Sequence, residues 1–256
     1  MIESQALGRT TGIRHAFFTR RGGVSEGEFA SLNCGFGSGD DPGRVEANRS
    51  RAAEKLGIPP PGLVTCRQIH SISVAVAEKP WPREQAPEAD GLVTKVPGIA
   101  LGVLSADCPP VLLADTVNGI IGAAHAGWRG AKDGIVEAVV DAMISLGAEA
   151  SNISAAIGPC IQRISYEVDA DFHAAFVDDD EASGDLFDAS PAPERYMFDL
   201  PRYVERRLNN LGVKEIEVRA EDTRSDEARF FSYRRATLRG EENYGRGLSA
   251  IMLNGR

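Results

Sequence analysis

The sequence predicts a single domain of the α+β or mixed α/β class. Apolar runs of strand length are interspersed with a few segments of helical periodicity, a pattern typical of a domain built on mixed sheets. No internal repeat, heptad pattern or interior linker divides the chain, and 256 residues is an ordinary length for one α/β domain. We therefore expect residues 1–256 to fold as one domain.

The first third of the chain is predicted to hold one helix among short strands. Residues 14–36 begin as a strand and then turn at Gly22. Asp41 and Pro42 start a helix, since aspartate accepts hydrogen bonds from the first turn and proline fits its first position. Gly57 ends this helix. Further on we expect strands over residues 63–70 and 72–76, followed by a loop over residues 79–90.

The stretch 101–130 contains three apolar runs with reactive side chains at their ends. Asp107 and Cys108 end the first run, and His125 ends the third. A thiol and an imidazole beside glycine-rich turns are the groups that a metal site or a Cys/His active site requires. We therefore expect the functional site where these runs end.

The second half of the chain is predicted to add helices and the closing strands. Ile135, Val139 and Met143 share one face of a helix predicted over residues 132–146. The acidic stretch 178–195 is predicted to be a solvent-exposed insertion. The remaining predicted elements are a strand over residues 152–157, a helix within 166–177, a helix after Asp199 and strands over residues 213–218, 230–233 and 248–253.

Composition excludes several classes of function. The formal net charge of −9 argues against a surface that coats nucleic acid or binds an anionic membrane. No run approaches the roughly 20 apolar residues of a membrane helix, and the N-terminus lacks the apolar core of a signal peptide. The four cysteines form no C-x-x-C pair, which favours reduced thiols. We expect a cytoplasmic protein and a monomer.

Three side chains combine into a candidate metal site. His70 ends a strand-like run, and with Cys108 and His125 it gives a His–Cys–His set at separations of 38 and 17 residues. One cysteine and two histidines occur in catalytic zinc sites, where a fourth position stays open. Because no local motif fixes the spacing, a buried cysteine with two hydrogen-bonded histidines is the competing interpretation.

Several arginines are candidates for binding an anion. A planar guanidinium binds phosphate or carboxylate through two parallel hydrogen bonds. Arg49 lies on the first predicted helix, Arg129 follows Trp128, and Arg234 follows an aromatic stretch. For any one of them, a solvated side chain or a surface ion pair is the competing interpretation.

Taken together, these segments resemble a known family. The matching segments include RQIHS, EADGLVT, LSADCPPVLLAD, AAHAGWRG, AAIGPCIQRISYEV and RFFSYRR. They are similar to those of the laccase-domain family, formerly called multicopper polyphenol oxidases and now regarded as zinc-dependent purine nucleoside phosphorylases. The resemblance covers about residues 14–253.

The resemblance implies a fold, a metal centre and an activity. The fold would be a four-layer α/β/β/α sandwich with mixed sheets, and the metal ligands would be His70, Cys108 and His125. The metal would be zinc, with copper as the alternative. The activity would be phosphorolysis of adenosine, inosine or methylthioadenosine, with adenosine deamination as a side activity. The partners would then be a purine nucleoside and phosphate, not nucleic acid or a membrane.

Roles for individual residues follow from that activity. We expect Cys108, Asp107 and Arg129 to act in catalysis, with Asp107 as the acid or base of deamination. The competing interpretation of Asp107 is a cap or a carboxylate that orients a ligand. Asn48, Arg49 and Arg234 are expected to bind substrate. Departures from the family pattern are Asp222 and Cys34, where relatives often have Cys and Leu, and Ser71, where Gly is common.

Three rival functions stay open. The first is a metal-free hydrolase, an amidase or a peptidoglycan-precursor editing enzyme, with Cys108 as nucleophile and His125 as base. The second is a copper-dependent polyphenol oxidase, whose copper set requires about ten histidine ligands, whereas the chain has four. The third is a binding protein without catalysis.

Overall fold

The computed structural model describes residues 1–9, 11–213 and 215–255. The strands are β1 Ile13–Phe17, β2 Leu63–Thr65, β3 Val74–Val76, β4 Gly91–Thr94, β5 Ala100–Ser105, β6 Pro110–Asp115, β7 Ile120–His125, β8 Ser154–Ile157, β9 Glu167–Asp169, β10 Phe187–Ala189, β11 Arg195–Phe198, β12 Glu215–Val218 and β13 Gly247–Leu253. The α-helices are α1 Gln5–Gly8, α2 Pro42–Leu56, α3 Trp128–Asp133, α4 Ile135–Ser145, α5 Ala170–Val177, α6 Leu200–Asn210 and α7 Tyr233–Arg239. Among the described residues, no helix combines the length and the apolar character needed to cross a bilayer.

Both large sheets are mixed. The first has the order β1-β13-β5-β2, with β2 parallel to β5 and the other neighbours antiparallel. The second has the order β12-β8-β6-β7-β4-β3, with parallel pairs at its two edges and antiparallel pairs between them. A small antiparallel sheet, β10-β11-β9, lies outside these two.

The two large sheets pack face to face, and helices cover their outer faces. Leu101 of the first sheet and Leu112 of the second belong to one buried cluster between the sheets. On the outer face of the first sheet, Ala52 of α2 packs in a cluster with Leu248. On the outer face of the second sheet, α4 and α6 pack against strand residues such as Val111. The predicted four-layer α/β/β/α sandwich is therefore confirmed.

Helix α2 begins and ends where the sequence predicts. The Asp41 carboxylate accepts a hydrogen bond from the Arg44 backbone N–H at 2.9 Å, and Pro42 occupies the first turn. Gly57 ends the helix with a φ of 76°, in the left-handed region that glycine adopts without a steric penalty. This helix carries Arg49.

Two predicted elements are shorter than expected. The strand predicted over residues 63–70 ends at Thr65, because the Gln68 side chain then bonds both backbone groups of Leu104 at 2.8 Å in place of a sheet ladder. The helix predicted over residues 132–146 is broken by Gly134, whose φ of 109° is incompatible with a continuous helix. The break separates α3, which starts directly after Gly127, from α4.

One further prediction was wrong, and another was incomplete. Residues 230–233 do not form a strand, because Ser232 caps α7 by accepting a hydrogen bond from the Arg235 backbone N–H at 3.1 Å. The stretch 178–195 is not simply an exposed insertion: it contains β10, and its Leu186 is fully buried against the outer helices. Apolar residues within that acidic stretch supply the packing that its composition conceals.

Candidate metal centre

Three elements bring the predicted ligands together. His70 lies in the loop after β2, Cys108 follows the end of β5, and His125 is the last residue of β7. Pro110, the first residue of β6, is paired with His125, so the sheet register places Cys108 beside the end of β7. One ligand atom from each of the three residues lies within 4.8 Å of the others. The structure thus assembles the His–Cys–His set that the sequence predicts.

The spacing of these groups suits a small metal ion. The Cys108 Sγ lies 3.9 Å from the His70 Nε2, and the two imidazole rings lie 4.8 Å apart between centroids. Gly127 makes this approach feasible. A Cβ at that position would lie 2.8 Å from the His70 Cδ2 and 3.0 Å from the Cys108 Sγ. Any residue larger than glycine there would push the ligands apart.

A single buried carboxylate, Asp90, orients both histidines. Its Oδ1 accepts a hydrogen bond from the His125 Nδ1 at 2.9 Å, which leaves the His125 Nε2 free for a metal. Its Oδ2 accepts from the backbone N–H groups of Ile69 at 3.0 Å and Ser71 at 2.7 Å, and from the Ser71 hydroxyl at 3.0 Å. These bonds hold the loop in which His70 has a left-handed φ of 59°.

Asp90 was not predicted as a functional residue. It lies in the EADGLVT segment, directly before β4 and 35 residues from His125. No local spacing links the two positions, because the contact depends on the pairing of β4 with β7. The position of an aspartate at a strand start in a recognisable motif was the only available signal.

Electrostatics at the centre favour a thiolate at neutral pH. Burial alone would raise the pKa of the Cys108 thiol, but His125 and His70 outweigh it and lower this pKa to about 7. Burial opposes protonation of His125, yet Cys108 and Asp90 raise its pKa to about 9. Burial also opposes ionisation of Asp90, and its bonds from His125 and the Ser71 N–H lower its pKa to about 2. The sulfur is therefore ready to bind a metal or to act as a nucleophile.

The candidate ligands line a cleft of about 930 Å³. Trp128, Arg129, Tyr166 and Arg234 line the same cleft. The Arg129 guanidinium lies 4.5 Å from the centroid of the Trp128 ring, and that of Arg234 lies 5.3 Å from the Tyr166 ring. Aromatic faces that carry cations can bind both a base and an anion. Of the predicted site residues, Cys108, Asp107, Arg129, Arg49, Arg234, His70 and His125 all line this cleft.

Asp107 is almost fully enclosed by hydrogen-bond donors. Its Oδ1 accepts from the Thr223 hydroxyl at 2.6 Å, and its Oδ2 accepts from the Ser232 hydroxyl at 2.9 Å and the Arg234 backbone N–H at 2.7 Å. Burial raises the pKa of this carboxyl in spite of these donors. Asp107, which directly precedes Cys108, is therefore bonded to the N-terminus of α7, the helix that carries Arg234.

Asn48 does not line the cleft, although it directly precedes Arg49 in α2. Its Oδ1 accepts from the Val24 backbone N–H at 2.8 Å, and its Nδ2 donates to the Ser25 hydroxyl at 2.8 Å and to two backbone carbonyls. The side chain is fully buried, and the cleft lining does not include it. The structure gives no support to direct contact between Asn48 and substrate, because the amide is used to hold the loop before α2.

Comparison with known proteins decides the family. The family model described as multi-copper polyphenol oxidoreductase laccase matches residues 14–254. The chain belongs to this family. A Streptomyces coelicolor relative named purine nucleoside phosphorylase is 40% identical over 230 residues, which cover 90% of this chain and 93% of the relative. A Streptomyces griseus relative of the same name is 47% identical over 68% of this chain and 72% of its own length.

Solved structures agree with this assignment. The YlmD protein of Geobacillus stearothermophilus has a TM-score of 0.85 at 32% identity, covering 96% of this chain and 93% of that protein. The YfiH protein of Bacillus licheniformis, described as hypothetical, has a TM-score of 0.87 at 31% identity, covering 94% and 93%. The likeness thus extends over nearly the whole laccase-like domain.

The residues that depart from the family pattern have structural roles here. Asp222 accepts hydrogen bonds from the Ser165 hydroxyl at 2.5 Å and the Gln162 backbone N–H at 3.3 Å. It precedes Thr223, the residue that bonds Asp107. Ser71 bonds Asp90, as described above. Burial raises the pKa of the Cys34 thiol to about 12, so this cysteine stays protonated.

The other two histidines are engaged elsewhere. The His15 Nε2 accepts a hydrogen bond from the Ser4 backbone N–H at 2.8 Å, and the His173 ring stacks on Tyr196 at 4.1 Å. In the part of the chain that the structure describes, His70, Cys108 and His125 are the one group of three such residues placed to hold a metal ion.

Proposed function

We propose that the protein is a zinc-dependent phosphorylase that cleaves purine nucleosides such as adenosine, inosine or methylthioadenosine with phosphate. The observation that carries this proposal is the His70–Cys108–His125 group, with ligand atoms within 4.8 Å, on a cleft lined by arginine and aromatic side chains. The names of the Streptomyces relatives support the choice of reaction.

The donor set fits zinc. Zinc accepts thiolate and imidazole together, and bond lengths of about 2.3 Å to sulfur and 2.0 Å to nitrogen place tetrahedral ligand atoms about 3.5 Å apart. The 3.9 Å between the Cys108 Sγ and the His70 Nε2 is close to that spacing. When bound, zinc would supply a positive centre that stabilises negative charge developing on the substrate. Copper is the alternative metal, because imidazole and thiolate suit it as well.

Phosphorolysis needs an anion site and a base site beside each other. The N-glycosidic bond breaks as a phosphate oxygen bonds the anomeric carbon, giving a sugar 1-phosphate and the free base. Arg129 and Arg234 are proposed to hold the phosphate, because their guanidinium groups line the cleft with the metal ligands. The Tyr166 and Trp128 rings are proposed to pack against the base or sugar.

Asp107 is proposed to act mainly through Arg234. Its Oδ2 accepts the Arg234 backbone N–H at 2.7 Å and so sets where that side chain enters the cleft. Adenosine deamination, the proposed side activity, requires in addition a carboxyl group that moves a proton. Asp107 stays the candidate for that role, since it directly precedes Cys108 and lines the cleft, and burial raises its pKa.

A turnover assay tests the proposal. Zinc-loaded protein is incubated with inosine, once in the presence of phosphate and once in its absence, and the concentration of free hypoxanthine is measured. We expect release only with phosphate, and its loss in Cys108→Ala. Cys34→Ala is the matched control, because that residue packs in the outer cluster of the first sheet and does not line the cleft. Release that is independent of phosphate would contradict phosphorolysis.

A second candidate function is a Cys/His hydrolase. The observation that favours it is the chain of contacts from Cys108 to His125 and on to Asp90, which resembles a nucleophile, base and orienting carboxylate. An amidase or a peptidoglycan-precursor editing enzyme would use it without a metal. Amide hydrolysis that survives removal of metal by a chelator and is lost on alkylation of Cys108 would favour this candidate.

A further inference from the structure

A second group of arginines lines the cleft, centred on the Phe36 ring. The guanidinium of Arg83 lies 4.2 Å and that of Arg49 5.4 Å from the centroid of this ring. Arg246 lies against the preceding residue: a Cβ built on Gly35 would be 3.0 Å from the Arg246 Cβ and Cδ. These three arginines, which we call the Phe36 group, converge on one loop and all line the cleft.

The positive charge of the Phe36 group is not neutralised by direct ion pairs. Within the described residues, none of the three arginines forms an ion pair with a carboxylate. Arg49 donates to the Cys34 carbonyl at 3.4 Å and to the Thr65 hydroxyl at 3.1 Å, both neutral acceptors. Glu46, exposed on the same helix, attracts Arg49 through space only.

Arg246 leaves a buried donor without an acceptor. Its Nη1 is buried and has no hydrogen-bond partner among the described residues, while its Nη2 lies 3.5 Å from the Tyr244 hydroxyl. The backbone around it is fixed, since its N–H donates to the Asn33 Oδ1 at 2.9 Å and its carbonyl accepts from the Cys34 N–H at 3.0 Å. A buried charged donor left unpaired is costly, and the Arg246 side chain that carries it lines the cleft.

The residues that anchor the Phe36 group lie on other elements than Arg129 and Arg234. Arg49 is anchored on Thr65, and Thr65 is paired with Gly102 in β5. Gly102 lies three residues before the end of β5, about 10 Å along a strand, and Cys108 lies beyond that end. Arg129 belongs to α3 and Arg234 to α7, so the two sets of arginines enter the cleft from different elements.

We propose that Arg49, Arg83 and Arg246 form a second phosphoryl-binding subsite in this cleft. Its ligand is a dianionic phosphoryl group, either free phosphate or the phosphate monoester of a nucleotide. The subsite rests on the proposed function only in that a nucleoside would lie between it and the metal centre. Guanidinium groups suit this ligand through paired hydrogen bonds, and the Phe36 ring pre-orders two of them.

Calorimetric titration tests the subsite directly. Zinc-loaded protein is titrated with adenosine, adenosine 5′-monophosphate and inorganic phosphate. The test variant is Arg83→Gln, which changes an exposed loop residue, and the matched control is Arg51→Gln, an exposed arginine of α2 outside the cleft lining. In Arg83→Gln we expect affinity for the monophosphate to fall by about tenfold to a hundredfold, the effect of a charged hydrogen bond, with adenosine affinity unchanged.

The arms of the experiment separate the two sources of the phosphoryl group. Weaker binding of the monophosphate alone assigns the subsite to an ester, and weaker binding of inorganic phosphate as well assigns it to free phosphate. Binding of both ligands to Arg83→Gln as tightly as to Arg51→Gln would overturn the proposal. The titration requires no turnover, so it can fail or succeed independently of the proposed function. If Arg83→Gln loses phosphate binding while the wild-type protein never releases hypoxanthine, the subsite would stand and the phosphorylase would be refuted.

Discussion

Replacing Asp90 with asparagine should remove hydrogen bonds that orient the candidate metal ligands. Asparagine has the same shape, but it offers one acceptor oxygen where aspartate offers two. In the protein, Oδ1 accepts from the His125 Nδ1 at 2.9 Å while Oδ2 accepts from the Ser71 N–H at 2.7 Å. Asp90→Asn must therefore release either His125 or the loop that carries His70, whichever way its amide is turned.

The expected losses of metal affinity and of stability follow from this geometry. Loss of a carboxylate that orients a metal-bound histidine costs about 10-fold to 100-fold in metal affinity. The free energy of unfolding is also expected to fall. The Asp90 pKa is held at about 2 instead of 3.8, which corresponds to about 2 kcal/mol of unfolding free energy at neutral pH. Because the folded-state pKa is the lower one, this contribution is present above pH 3.8 and is lost as pH falls through 2.

The assay is competition for zinc against a chromophoric chelator, with thermal unfolding measured in parallel. Asp115→Asn is the matched control. Asp115 is equally buried and accepts hydrogen bonds from Asn118 and the Glu149 N–H, but it lies at the far end of β6 from the ligands. We expect both variants to lose stability and only Asp90→Asn to lose zinc affinity. Wild-type zinc affinity in Asp90→Asn would refute the role assigned to Asp90.

Three more predictions concern the same centre and the helix behind it. Gly127→Ala should lower zinc affinity at least tenfold, because its Cβ would lie 2.8 Å from the His70 Cδ2. An unchanged zinc affinity in the chelator assay would contradict the role of Gly127 in letting the ligands approach one another. In metal-free protein, the iodoacetamide reactivity of Cys108 should rise with pH through a midpoint of about 7, and His125→Ala should move that midpoint upward. A wild-type midpoint near 9 would count against the pairing of Cys108 with His125. Gly134→Ala should lower the unfolding free energy by about 1–2 kcal/mol, since φ there is 109°, and denaturant titration showing no loss would oppose this.

The candidate ligands could be predicted because each lies where its residue type and position already mean something. Cys108 and His125 end apolar runs, and a strand end is where a side chain can leave the sheet and enter a cleft. Helix α2 was predictable for a similar reason. Its aspartate, proline and glycine act on neighbouring backbone groups, so local chemistry decides the element.

The features that were missed depend on contacts between distant segments. Asp90 reaches His125 only because β4 pairs with β7. Arg83 lies on the loop of residues 79–90, which has no pattern of its own, and it meets Phe36 only in the folded chain. Residues 230–233 have strand-like composition, yet Ser232, whose hydroxyl donates to the distant Asp107, caps a helix there. In each case a tertiary contact overrides local preference.

Phosphorolysis at the His70–Cys108–His125 centre is tested by the chemical identity of the sugar product. Zinc-loaded protein is incubated with inosine and phosphate, and phosphorus NMR is used to detect the sugar phosphate. We expect ribose 1-phosphate in equal amount to hypoxanthine, with neither formed by Cys108→Ala. Hypoxanthine accompanied by free ribose, or ribose 1-phosphate formed equally well by Cys108→Ala, would contradict the mechanism.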